Sequence, residues 1–123
     1  MRELADMICG YLRDEYPMHK CFTDISKELK PKLAALYGRR LIASFVFGSY
    51  ARGEADEESD LDVLIVLDRV DRYAAEVDRI GLLISDLSLA YGVSISPVFV
   101  SEEEWLHGDS TFLANVREES VPA

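Results

Sequence analysis

The sequence is poor in cysteine and has no long apolar run, and both scarcities exclude classes of protein. Cys9 and Cys21 are the only cysteines in 123 residues, too few for the disulfide framework of a small secreted domain, although a single bridge stays open. Charged residues interrupt the first 16 positions, which therefore do not resemble a secretory signal. We expect a cytoplasmic protein with no membrane partner, either a monomer or a small oligomer such as a homodimer.

Positive charge is also scarce. Lysine and arginine number 13 against 23 aspartates and glutamates, which gives a net charge of −10. Such a surface repels the phosphates of DNA or RNA, so we do not expect long nucleic acid as a partner. A small polyphosphate is still compatible with this charge, because Mg²⁺ held by carboxylates reverses the local sign of the field.

Apolar spacing predicts several helices in one domain that spans residues 1–123. The helix that follows Thr23 meets Pro31, which must kink or split it, and ends at Gly38. Ser101 and Glu104 form a predicted capping box for a short helix. Helices are predicted over residues 1–16, 23–37, 71–91, 101–107 and 110–118. In the second and third of these, the residues predicted to face the core are Ile25, Leu29, Leu33, Leu36, Tyr37, Tyr73, Val77, Ile80, Ile84, Leu87 and Tyr91.

Three short runs rich in β-branched and aromatic residues predict strands at 41–47, 61–67 and 93–100. The middle run is apolar on both faces, which is typical of a central strand covered on both sides. Pro97 has no N–H group, so the last strand should lie at an edge of the sheet. The order of elements predicts an α/β (α+β) fold with a small sheet flanked by helices.

Two aspartates stand where the middle strand begins. Asp60 and Asp62 are two residues apart, so their side chains leave the strand on one face with α-carbons about 6.6 Å apart. Two carboxylates in a poorly solvated place are costly unless a cation neutralises them. Mg²⁺ prefers oxygen ligands and commonly takes one or two carboxylates, leaving its other positions to water and phosphates.

The preceding strand ends in Gly48-Ser49, a second element of the same predicted site. N–H groups at such a bend and the serine hydroxyl can hold phosphate oxygens, and the missing side chain of Gly48 permits close approach. Arg52 follows three residues later and could reach the same phosphates, or pair with the acidic loop that begins at Glu54. Taken alone, the two aspartates could be solvated residues at the end of a strand. Gly48-Ser49, taken alone, could be an ordinary turn.

Together, "GSYARGEADEESDLDVLIV" at residues 48–66 resembles the signature of the DNA polymerase beta-like nucleotidyltransferase superfamily, and within it the minimal nucleotidyltransferase group. The resemblance implies that Asp60 and Asp62 bind catalytic Mg²⁺ while Gly48 and Ser49 hold the triphosphate of ATP or another nucleotide. It also implies transfer of a nucleoside monophosphate to a macromolecule. The implied partner is a separate helical HEPN toxin, with this chain as the antitoxin.

One feature departs from that pattern. Active members of the superfamily usually add a third carboxylate from the neighbouring strand, where this sequence has Ser94 or Ser96. Asp68 is predicted to lie about 20 Å from Asp62 along the strand. A carboxylate from the loop at 54–58, or from a partner, could fill the gap. Two hypotheses therefore stay open: an active transferase, and a nucleotide-binding relative that neutralises its partner by binding alone.

Other chemistry fits less well. "FGSYA" lacks the Gly-x-Ser-x-Gly elbow of a serine hydrolase, and Glu54 stands where a P-loop needs lysine. The two histidines and two cysteines have no zinc-finger spacing. Trp105, Phe112 and Leu113 could form a docking face, but packing against the sheet is the stronger prediction.

Overall fold

The computed structural model describes residues 22–123. The helix predicted over residues 1–16 and both cysteines lie outside the described residues. Four strands alternate with helices along the chain. The elements are α1 (Phe22–Tyr37), a 3-10 turn (Gly38–Arg40), β1 (Leu41–Phe47), α2 (Ser49–Arg52), β2 (Leu61–Leu67), α3 (Tyr73–Tyr91), β3 (Ile95–Ser101), α4 (Glu102–His107), α5 (Thr111–Glu119) and β4 (Val121–Pro122).

The strands form one mixed sheet in the order β3-β2-β1-β4. β1 is antiparallel to both of its neighbours, whereas β2 and β3 run parallel. This arrangement confirms the predicted α/β fold. β2 is central, and Pro97 lies on β3 at the edge, as the missing N–H group requires. The two-residue strand β4 was not predicted.

Successive residues of β2 point to opposite sides of the sheet and enter two apolar clusters. The larger cluster joins Val63 and Ile65 to α1 and α3. The smaller cluster joins Leu64 and Val66 to Phe47 and to two residues of α5, Leu113 and Val116. Because side chains alternate, Asp62 belongs to the face of Leu64 and Val66, the face that α5 covers.

Aromatic packing fixes the short helices against this second face. Trp105 stacks on Phe45 with ring centroids 4.8 Å apart, and Phe112 meets the edge of Phe47 at 5.5 Å. Leu113 is buried. Packing against the sheet, the stronger of the two predictions for these residues, is thus what the structure shows. The capping box of Ser101 and Glu104 is also present.

Three residues predicted to face the core are largely exposed: Leu36 (40%), Tyr73 (46%) and Val77 (41%). The inward positions of α1 follow a spacing of four that ends at Tyr37, which leaves Leu36 outside. Tyr73 instead lies at the edge of the sheet, where its hydroxyl accepts a hydrogen bond from the N–H of Phe99. Helix α1 also continues through the exposed Pro31 without a break, which excludes the split, one of the two effects predicted for this proline, and leaves the kink as a prediction. Within residues 22–123, no helix combines the length and apolar character needed to cross a bilayer.

Candidate active site

The two aspartates lie where β2 begins. Asp60 immediately precedes the strand and is exposed, whereas Asp62 is its second residue and is partly buried. Alternation along β2 places Asp62 on the side of the sheet that α5 covers. Asp60 precedes the strand, so the shared face of the two aspartates stays a prediction.

Gly48 brings the bend after β1 into direct contact with Asp62. The β1–β2 register sets Phe47 opposite Asp62, so Gly48 follows beside the aspartate. Its backbone has φ +77°, a conformation that favours glycine, and a β-carbon at this position would overlap Oδ2 of Asp62. The glycine is thus required both by the backbone and by the carboxylate packed against it.

Ser49 opens the single helical turn α2, which is held closely against the bend. The N–H of Arg52 donates to the carbonyl of Gly48 at 3.1 Å, and the N–H of Glu54 donates to the carbonyl of Ser49 at 2.8 Å. Buried Tyr50 anchors the turn in the core. Burial, followed by the charges of Asp56 and Asp60, raises the pKa of Tyr50 to about 12.

Arg52 is held between two carboxylates. Its Nε donates to Oε1 of Glu54 at 2.7 Å, and its Nη1 donates to Oε2 of Glu119 at 2.6 Å. The sequence left two roles open for Arg52, a phosphate contact and an ion pair with the acidic loop, and the pair with Glu54 is the second of these. The pair with Glu119 was missed, since the two residues are 67 positions apart and Glu119 lies in a helix with no visible motif.

The pKa of Asp62 is raised, first by burial and second by the charge of Asp60. Arg52 opposes this rise and Glu119 adds to it. A raised pKa means that the carboxylate charge is poorly compensated in the protein alone. A divalent cation would supply that compensation, so the donor chemistry of the pair fits Mg²⁺.

The described part of the chain, residues 22–123, has no cluster of three or more histidine, cysteine, aspartate or glutamate side chains arranged to hold a metal. A cation on Asp60 and Asp62 would then complete its shell with water and phosphate oxygens, which is the usual arrangement for Mg²⁺.

Ser96 is the neighbour of Asp62 on β3. The parallel register pairs these two residues, and the carbonyl of Ser94 accepts the N–H of Leu61 one step earlier. A neutral hydroxyl therefore stands beside the partly buried carboxylate. Asp68 lies at the far end of β2 and accepts a hydrogen bond from Nε of Arg40, so it does not reach the site.

The acidic loop between α2 and β2 is organised by its own side chains. Asp56 accepts hydrogen bonds from the N–H of Glu58 and from the hydroxyl of Ser59. The same hydroxyl accepts the N–H of Asp56. Glu54 is bound to Arg52. Glu54 and Asp56, two of the loop residues that could have supplied the missing third carboxylate, are therefore already engaged in contacts within the loop and with Arg52.

The sequence matches the family model described as "Nucleotidyltransferase domain" over residues 26–121. It is 40% identical over 75 residues to a Methanocaldococcus jannaschii protein named "Putative protein adenylyltransferase MJ0141", covering 61% of this chain and 75% of the relative. A second protein of that organism, "Putative protein adenylyltransferase MJ0604", is 42% identical over 77 residues, covering 63% and 71%.

Solved structures share the fold. One described as "Structure of putative minimal nucleotidyltransferase" has a TM-score of 0.53 and 30% identity, and the match covers 83% of this chain and 93% of that one. Another, described as "Crystal structure of the toxin-antitoxin with AMP-PNP", has a TM-score of 0.51 and 23% identity over 75% of this chain and 67% of that one. At that identity the second likeness concerns the fold alone.

Proposed function

Because the chain belongs to the nucleotidyltransferase domain family, we propose that it transfers AMP from ATP to a hydroxyl group of a separate protein. The observation that carries this proposal is the contact between Gly48 and Asp62, which joins the bend that we propose to bind phosphate to the acids that we propose to bind metal. The curated relatives are named as protein adenylyltransferases, which supports a protein acceptor and an adenine nucleotide.

Each residue of the site has a role in this reaction. Asp60 and Asp62 would hold Mg²⁺, and the bend at Gly48 and Ser49 would bind the triphosphate, with Arg52 beside it. Mg²⁺ bound there would neutralise the phosphates and polarise the phosphorus that is attacked. The protein's own contribution is to align the acceptor hydroxyl with the α-phosphate, so that one P–O bond forms as the bond to pyrophosphate breaks and the hydroxyl proton passes to water.

The acceptor we propose is a helical HEPN-type toxin, with this chain as the antitoxin. A solved structure of the same fold contains a toxin-antitoxin with AMP-PNP, which supports a separate protein partner. The acidic surface of this chain, with a net charge of −10, would complement a basic partner.

The test is label transfer from ATP to the protein encoded beside this chain, with Mg²⁺ present. We expect label from α-³²P-ATP on the partner and none from γ-³²P-ATP, because the γ-phosphate leaves in pyrophosphate. Label from γ-³²P-ATP with none from α-³²P-ATP would indicate a kinase and would contradict the proposal.

Ser96 favours a second candidate function, neutralisation of the partner by binding alone. A missing general base typically costs on the order of 10²–10⁴ in rate, and this hydroxyl stands in register with Asp62. Under this alternative, the same experiment gives a stable complex whose partner carries no label.

A further inference from the structure

Glu119 joins the end of α5 to the proposed nucleotide site through Arg52. The two side chains approach to 2.6 Å, although Arg52 is 47% exposed and Glu119 is 22% exposed. Glu54 engages the same guanidinium group from the other side at 2.7 Å. Neither carboxylate belongs to the aspartate pair, and both bind the guanidinium group of Arg52.

The backbone around Glu119 is fixed on both sides. Before it, Val116 is buried against the sheet, and its carbonyl accepts the N–H of Ser120 at 2.8 Å. After it, β4 pairs with β1 so that Val121 lies opposite Val46. Glu119 is the last residue of α5, and only Ser120 separates it from β4. The position of Glu119 is therefore a consequence of the fold.

The contacts to Arg52 leave part of its guanidinium group available. Nε and Nη1 each donate to a carboxylate. Within residues 22–123, the other terminal nitrogen, Nη2, has no hydrogen-bond acceptor. Arginine binds phosphate through such a planar pair of donors, and the strength of binding depends on the orientation of the plane.

We infer that Glu119 is a positioning residue, which together with Glu54 orients Arg52 so that its free edge receives a phosphate oxygen of the nucleotide. This inference rests on the proposed function. Without Glu119, the exposed arginine gains rotational freedom, and nearby Asp62 becomes a competing partner for it.

The inference predicts that removal of Glu119 changes nucleotide affinity in the opposite direction to a simple charge effect. Removing a negative charge near a bound triphosphate should tighten binding if only the long-range field counts. Removing Glu119 should instead weaken binding, because Arg52 loses its orientation. The sign of the change in affinity thus separates the two explanations.

The test uses calorimetric binding of α,β-methylene-ATP with Mg²⁺, a nucleotide that cannot be cleaved at the bond broken in AMP transfer. We expect Glu119→Gln to weaken binding about fivefold, comparable to the loss of one partly exposed ion pair. The matched control is Glu118→Gln, which removes the same charge from the adjacent exposed position and should leave affinity unchanged or slightly tighter.

A double-variant cycle tests the route through Arg52. Arg52→Ala should weaken binding at least as much as Glu119→Gln, and adding Glu119→Gln to Arg52→Ala should cause no further loss. Unchanged or tighter binding in Glu119→Gln, or a full additional loss in the double variant, would overturn the inference. Thermal melting of each variant checks that the fold is intact.

These outcomes are separate from failure of the proposed function. If the unaltered protein binds no nucleotide in the presence of Mg²⁺, the proposed function itself is wrong. If it binds nucleotide and Glu119→Gln binds equally well, only the role of Glu119 is wrong.

Discussion

The carboxylate of Asp62 occupies the space in which a β-carbon at residue 48 would stand, so Gly48 and Asp62 are fitted to each other. The contact joins the last residue before α2 to the second residue of β2. A single site is therefore built from two strands that neighbour each other in the sheet. The predictions below test this site and the packing that supports it.

Replacing Gly48 by alanine should damage the site more than the fold. The new β-carbon would displace the Asp62 carboxylate, and misplacement of about 1 Å at a reacting group costs about 100-fold in rate. The backbone of Gly48, with φ +77° and ψ −153°, lies in a region that is nearly restricted to glycine, which adds a stability cost of about 1–3 kcal/mol. The measurements are label transfer and urea unfolding.

Gly92→Ala is the matched control for this change. Gly92 also has positive φ (+65°), but a β-carbon there would meet nothing within 4 Å. Its ψ of 32° places Gly92 in the left-handed helical region, so we expect a smaller stability cost, about 1 kcal/mol, with normal transfer. Equal loss of transfer in both variants would show that backbone strain, and not the contact with Asp62, explains the effect.

The stability of the metal-free protein should depend on Asp62 in a definite direction. Its pKa is raised in the folded state, by burial first and by Asp60 second. The folded state therefore holds the proton more tightly than the unfolded chain, so Asp62 favours folding at low pH and loses that contribution as pH rises through the raised pKa.

Asp62→Asn should consequently raise the melting temperature at pH 7, and the gain should disappear as pH falls into the carboxyl range. Asp78→Asn, on the exposed surface of α3, is the control for loss of one charge. A lower melting temperature for Asp62→Asn at pH 7 would contradict this account of the site.

Ser96→Asp should raise the rate of AMP transfer if a missing acid limits catalysis. The register places the new carboxylate beside Asp62, where it could accept the proton of the attacking hydroxyl. We expect the rate to increase about tenfold or more. Ser85→Asp adds the same charge on exposed α3 and should have no effect. An unchanged rate in Ser96→Asp would mean that Ser96 does not limit turnover.

A buried ion pair at the other end of the sheet should contribute to stability and not to catalysis. Glu76, 4% exposed, accepts hydrogen bonds from Arg40 at 2.8 Å and Arg79 at 3.2 Å. Burial alone would raise the pKa of Glu76, but these two arginines lower it overall. The stabilisation by ionised Glu76 is present above the ordinary carboxyl pKa of the unfolded chain. It is lost as pH falls through the lowered pKa of Glu76 in the folded state.

Arg40→Gln should therefore reduce the free energy of unfolding by about 2 kcal/mol, because it leaves Glu76 buried with one partner. Arg69→Gln breaks a pair with Asp71 in which both side chains are about three-quarters exposed, and should cost less than about 0.5 kcal/mol. Urea unfolding measures both. Equal effects would show that burial of Glu76 does not determine the strength of these contacts.

Sequence reasoning succeeded where local pattern determines structure. The apolar runs predicted β1 and β2 with the observed bounds, and the central place of β2 followed from its two apolar faces. The motif predicted the family, since the glycine-serine bend and the aspartate pair lie within 15 residues of one another.

Sequence reasoning failed where a structural feature depends on contact between segments that are distant along the chain. β4 has only two residues, too few for a periodic signal, and forms because it pairs with β1. The ion pair of Arg52 with Glu119 depends on that pairing. Leu36 and Val77 have helical spacing close to the core positions, and only the packed structure shows that they lie outside it.

The most direct test of the central claim is calorimetric binding of α,β-methylene-ATP, with and without Mg²⁺, to the unaltered protein and to Asp60→Asn/Asp62→Asn. The account predicts binding to the unaltered protein that requires Mg²⁺, and no measurable binding to the double variant. Equal Mg²⁺-dependent binding to both proteins would show that the metal and nucleotide are held elsewhere.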